Sequence, residues 1–192
     1  MTSSDLSPEQ WVNEHGDALY SFAMTRVKNP SAAKELIQET FLAALENRTG
    51  FEGRSSVRTW LISILRNKIV DAFRAGSLRT DRVEEAEEAT MSEDRFFESE
   101  GEWDGHWRED HLPKEWKDPH TELERTELRR LLEACVELLP RRHASVFLMK
   151  EFDGEESGAI CSALGISLSN FWVILHRSRL ALRECVEQKW SS

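Results

Sequence analysis

Three observations predict an all-α fold of two small helical domains joined by an acidic linker that contains Trp and Pro. Apolar residues recur every three or four positions in both halves of the chain, the period of a one-sided helix. With 9 Gly, 5 Pro and 1 Tyr in 192 residues, turn residues are too sparse for a strand-and-turn fold. Acidic side chains crowd an internal stretch, and helical patterns lie on both sides of it.

The first domain is expected over residues 1–80. A helix from Pro8 to Val27 has Ser7 as its candidate N-cap, turns Trp11, Leu19, Phe22 and Ala23 inward, and breaks at Asn29-Pro30. Ser31 is placed to cap a second helix reaching Glu46, with Leu36, Ile37, Phe41, Leu42 and Leu45 as its apolar side. The glycines around Phe51 mark a turn. Ser55 or Ser56 then opens a third helix that ends at about Arg74, before Ala75-Gly76-Ser77.

Residues 81–120 form the expected linker. Residues 83–128 carry 17 acidic and 5 basic side chains, whereas 48–82 carry 8 basic and 3 acidic ones. The formal charge of −10 therefore does not exclude an anionic partner, because screening confines each patch to about 10 Å. Trp103, Trp107 and Trp116 stand beside Pro113 and Pro119. A solvated acidic tether is one reading of this stretch. The other is a segment whose tryptophans dock on a protein surface, since unstructured segments are poor in aromatics.

The second domain is expected over 121–192. Leu128, Leu131, Leu132, Cys135, Val136 and Leu139 repeat at helical spacing up to Pro140, and a further helix spans Arg141 to Phe152. A short helix from Ser157 to Leu164, a turn Gly165-Ile166-Ser167 and a long helix from Leu168 to Gln188 follow. Ser167 is the expected cap of the long helix, and Ala159, Cys161 and Ala163 permit a close helix crossing.

Several functional classes lose support. Cys135, Cys161 and Cys185 are odd in number and lack C-x-x-C spacing, which argues against a disulfide framework or a zinc site and makes them candidate core residues. No apolar run reaches the length of a membrane span, and no signal-peptide pattern opens the chain. A reducing, cytoplasmic protein is expected. His15, His106, His111, His120, His143 and His176 are scattered, without metalloprotease, P-loop or nucleophile-elbow motifs. No enzyme activity, metal or cofactor is expected.

Two constellations carry the functional signal. On the third helix Ser56, Thr59, Ser63, Asn67, Asp71 and Arg74 share one side, with Trp60 in the stripe and Arg54 and Arg66 flanking it. Hydroxyls, an amide, arginines and an aromatic suit phosphate contact and stacking on an unpaired base; an ordinary solvated face is the alternative. The second constellation has helix-turn-helix grammar. Leu168, Phe171, Leu175, Leu182 and Cys185 are expected to face the core, leaving Ser169, Asn170, Trp172, Val173, His176, Arg177 and Arg179 to face elsewhere. The N-terminal part of such a helix meets base edges, and arginines suit phosphates. A helical hairpin without DNA contact is the alternative.

ELIQETFLAA (35–44), FEGRSSVRTWLISILRNKIVDAFR (51–74), LPRRHASVFL (139–148) and ICSALGISLSNFWVILHRSRLALR (160–183) resemble the extracytoplasmic-function sigma factors of bacterial RNA polymerase. The resemblance covers both helical domains, a region-2-like and a region-4-like one, and implies a transcription initiation factor. It implies that Glu35, Gln38, Glu39 and Phe41 bind core polymerase. It further implies that Arg54, Ser55, Ser56, Thr59, Arg66 and Asn67 read the minus-ten strand during melting, and that the helix after Ser167 reads the minus-thirty-five element. Core polymerase, promoter DNA and an anti-sigma factor are the implied partners, and the acidic linker is expected in a basic channel of the polymerase, anchored by its tryptophans. Trp172, Val173 and Ile174 stand where relatives often place polar or basic residues. Contact with thymine methyls and buried packing are both open to them. A free-standing helix-turn-helix regulator is the main alternative, although residues 1–80 lack the strand–helix alternation of a ligand domain. A decoy whose linker mimics nucleic acid is a lesser one.

Overall fold

The computed structural model describes residues 8–51, 53–78, 91, 96–97, 107–113 and 121–190. The described residues are helical throughout, apart from turns and one isolated antiparallel bridge between Phe97 and Trp107. The helices are α1 (Pro8–Val27), α2 (Pro30–Glu46), α3 (Val57–Arg74), α4 (Glu122–Leu138), α5 (Arg141–Phe147), α6 (Ser157–Leu164) and α7 (Leu168–Trp190). The chain folds as two compact units, one of Met1–Arg79 with Leu148–Leu168, the other of Thr80–Phe147 with Ser169–Ser192.

The first unit is built on α1, α2 and α3. Leu19, Ala23 and Val27 of α1, Ala33, Leu36 and Ile37 of α2, and Leu61, Leu65 and Ile69 of α3 close one core. The cap of α2 differs from expectation. Asn29, not Ser31, holds the helix start, with its side-chain oxygen accepting from the amides of Ser31 and Ala32 at 3.0 and 3.1 Å. Pro30 occupies the first helical position, where its missing N–H costs nothing. Ser56 caps α3 by accepting from the Thr59 amide at 3.1 Å, as its residue type favours. Ser7, the candidate cap of α1, lies outside the described residues.

Residues 148–168 complete this unit. The helix expected from Arg141 to Phe152 is α-helical only to Phe147 and continues as a π-turn over Leu148–Phe152. α6 packs on α3 and buries Ile160 and Ala163. It forms without an acidic residue in its first turn and ends at Gly165, whose φ of 65° is the left-handed conformation that suits glycine.

In the second unit, a capping box starts α4: the Thr121 hydroxyl accepts from the Glu124 amide and the Glu124 carboxylate accepts from the Thr121 amide, at 3.1 and 2.8 Å. Cys135 of α4 is joined to Cys185 of α7 by a disulfide, while Cys161 is free. This corrects the expectation of three unpaired core thiols. Two cysteines 50 residues apart bear no local spacing signature, and only the meeting of α4 with α7 brings them together.

Candidate nucleic-acid interface

On α3, Ser56, Thr59, Ser63, Asn67, Asp71 and Arg74 are all exposed, so the polar stripe runs the length of the helix. Local bonds order it. The Ser56 and Thr59 hydroxyls lie 2.8 Å apart, the Ser63 hydroxyl donates to the Trp60 carbonyl at 2.7 Å, and Arg74 pairs with Asp71 at 3.2 Å. Arg54 and Ser55 are exposed in the preceding loop.

Two members of the expected set are engaged elsewhere. Trp60 is half-buried and sits between Trp11, edge-on at 5.9 Å, and Phe51 at 4.9 Å. Arg66 donates to the Asp153 carbonyl at 3.1 Å, and its Nε lies 3.4 Å from the Glu155 carboxylate. The same turn carries a deeper pair that sequence reasoning missed. Arg26 donates from Nη2 and Nε to the two Asp153 carboxylate oxygens at 2.8 and 3.1 Å, with the two side chains only 6% and 7% exposed. The Arg26 guanidinium also lies 3.4 Å over the Phe22 ring. No sequence signal links residues 127 positions apart.

Along α2, Glu35, Gln38 and Glu39 are exposed, and Glu39 lies 3.4 Å from Lys68 of α3. Phe41 packs partly against the core. Leu42 and Leu45, expected on the apolar side, are exposed instead, Leu42 at 61%. They extend the face begun by Gln38 and Glu39 by one and two turns.

α7 separates its residues cleanly. Phe171, Ile174, Leu175, Ser178 and Leu182 are buried, while Ser169, Asn170, Trp172, Val173, His176 and Arg179 are exposed and Arg177 is half-buried. Of the expected core set, Leu168 is exposed. Within the open trio, Ile174 is 2% exposed and Trp172 is 50% exposed.

The segment expected to be a tether also packs on its own chain. The Arg183 guanidinium lies 4.2 Å over the Trp107 ring and donates to the His111 carbonyl at 2.9 Å. His111 in turn lies 3.4 Å from Glu184, and Phe96 is buried beside it. A face of Trp107 is thus taken by α7. Trp103 and Trp116 lie outside the described residues.

Residues 11–79 match the sequence pattern of Sigma-70 region 2, and residues 129–182 match that of Sigma-70 region 4. A probable RNA polymerase sigma factor of Haemophilus influenzae is 32% identical over 97% of this chain and 91% of its own length. The sigma factor SigX of Bacillus subtilis, of the extracytoplasmic-function class, is 38% identical over 34% of each chain. The chain is an extracytoplasmic-function sigma factor. A sigma factor of this family directs RNA polymerase to particular promoters. A solved chain, the sigma factor RpoE from Bartonella quintana in complex with the anti-sigma factor NepR, aligns over 93% of this sigma factor and 96% of that chain, with 18% identity and a TM-score of 0.41.

Proposed function

We propose that this sigma factor binds core RNA polymerase through the exposed face of α2, melts the minus-ten element on α3 and reads the minus-thirty-five element with α7. One observation carries the assignment: region 2 and region 4 patterns follow one another in a single chain. Glu35, Gln38 and Glu39 supply polar contact to the core enzyme, Leu42 and Leu45 add apolar contact, and Phe41 supports them from below. Arg54, Ser55, Ser56, Thr59, Asn67 and Arg74 hold the non-template strand. Capturing an unstacked base costs a few kcal/mol, which stacking and pocket contacts must offset. Trp60 backs this face from within the fold, and Arg66 reaches DNA only after leaving Asp153 and Glu155. On α7, Ser169, Asn170, Trp172, Val173 and His176 meet base edges, and Arg177 and Arg179 meet phosphates. The protein has no catalytic role of its own, acts in the cytoplasm beside the polymerase and is held in check by an anti-sigma factor. No single helix among the described residues is long and apolar enough to cross a membrane.

Transcription in vitro with core polymerase on genomic DNA tests this. Discrete new start sites should appear only when the protein is added, and their absence refutes the assignment. Asn67→Ala should reduce permanganate-reactive thymines at minus ten more than it reduces duplex binding. Normal melting in that variant would remove α3 from the opening step.

A further inference from the structure

Resting on the promoter-reading role of α7 proposed above, we infer that Trp172 and Val173 determine specificity by recognising the C5-methyl groups of thymine in the minus-thirty-five element.

The inference begins with the register of the helix. Trp172 and Val173 stand three and four residues after Ser169, His176 and Arg179 continue from Val173 at steps of three, and all five are exposed. Trp172 and Val173 remain 50% and 39% exposed although the neighbouring Phe171 and Ile174 are almost wholly buried. The core side of α7 is therefore already filled, and these two are not displaced core residues. The Trp172 ring stands edge-on to Phe171 at 5.0 Å, so a buried ring braces the indole. The indole and the neighbouring Val173 side chain thus present apolar surface to solvent from a braced position.

Charge decides between partners. From Ser157 to Arg183 there is no Asp or Glu, in a chain with 35 acidic residues, and Arg177 and Arg179 lie within one to two turns of Trp172. Such a helix complements a polyanion. In the major groove the thymine methyl is the apolar group that a base pair presents, and apolar side chains are what distinguish it. An exposed Trp–Val pair on a stretch of helix without carboxylates before Glu184 fits thymine better than it fits guanine, for which bidentate arginine or lysine is the usual reader.

The test uses the holoenzyme reconstituted from core polymerase and the full chain. Selection from templates randomised around minus thirty-five should enrich at least one thymine. Replacing that thymine with deoxyuridine removes only the methyl group and should weaken promoter binding about four-fold per methyl. Trp172→Ala should weaken binding to the thymine template by a similar factor and no longer distinguish thymine from uracil; Val173→Ala should do so to a smaller degree. Equal binding to both templates by the wild type, or a preference retained in both variants, overturns the inference while leaving the sigma-factor role intact. If Trp172→Ala instead weakens association with core polymerase, the face serves a protein and the inference also fails. No discrete initiation on any template would refute the broader role itself.

Discussion

α3 and α7 each present one side to solvent, yet they place tryptophan in opposite settings. On α3 the indole of Trp60 is wedged between Trp11 and Phe51, and the exposed stripe beside it is made of hydroxyls, an amide and a self-paired arginine. On α7 the indole of Trp172 projects outward and the helix core is made by its neighbours. Residue type therefore does not reveal availability. Trp60, next to the exposed stripe of α3, is turned into the fold, whereas Trp172 stays open to solvent.

Anchoring differs as well. α3 is tied to the 153–155 turn through Arg66, beside the Arg26–Asp153 pair, whereas α7 is tied to α4 by the Cys135–Cys185 bond. The largest effect should come from Asp153→Ala, which leaves the Arg26 guanidinium enclosed without its counter-charge. A loss of about 3–5 kcal/mol in urea unfolding is expected, against roughly 1 kcal/mol or less for Arg66→Ala, whose ion pair is partly exposed. Equal losses would mean that the turn is not held chiefly by Arg26. Next, reducing the disulfide, or changing Cys135 and Cys185 together to serine, should cost about 2–4 kcal/mol, read as a lower melting temperature. If reductant leaves the melting curve unchanged, the covalent tie contributes nothing to stability.

Trp60→Ala should then cost about 2–3 kcal/mol, less than a fully buried tryptophan, because part of its surface already meets water. Trp172→Ala should change stability by under about 0.5 kcal/mol. The pair of unfolding curves checks the contrast directly, and similar shifts would abolish it. Ser56→Ala should cost about 1 kcal/mol for a missing N-cap, seen as faster amide exchange in the first turn of α3.

Much of this fold was legible because it is local. The spacing of Leu61, Leu65 and Ile69 predicts the buried side of α3, and Gly165 marks the corner before α7. Where two local signals compete, the outcome turned on backbone chemistry: Asn29 with Pro30 outranks Ser31 because proline at the first helical position sets where the cap must stand. Leu42 and Leu45 look like core by spacing, but the α2 core side is filled by Ala33, Leu36, Ile37 and Ala44. The non-local features were not legible. Arg26 with Asp153, Cys135 with Cys185 and Trp107 with Arg183 join positions that no periodicity relates. The stripe on α3 was readable as a pattern, but not that Arg66 would spend its donors inside the fold.

The region 4 match spans residues 129–182, yet residues 148–168 belong to the same compact unit as α1, α2 and α3. Dissection at residue 80 or 120 would thus be no clean excision. A fragment ending there would strip α3 of the helix packed on it and take from Arg26 the Asp153 carboxylate that pairs with it. Chimeras that exchange the N-terminal half with a relative should therefore travel with residues 148–168, or with a matching partner for Arg26.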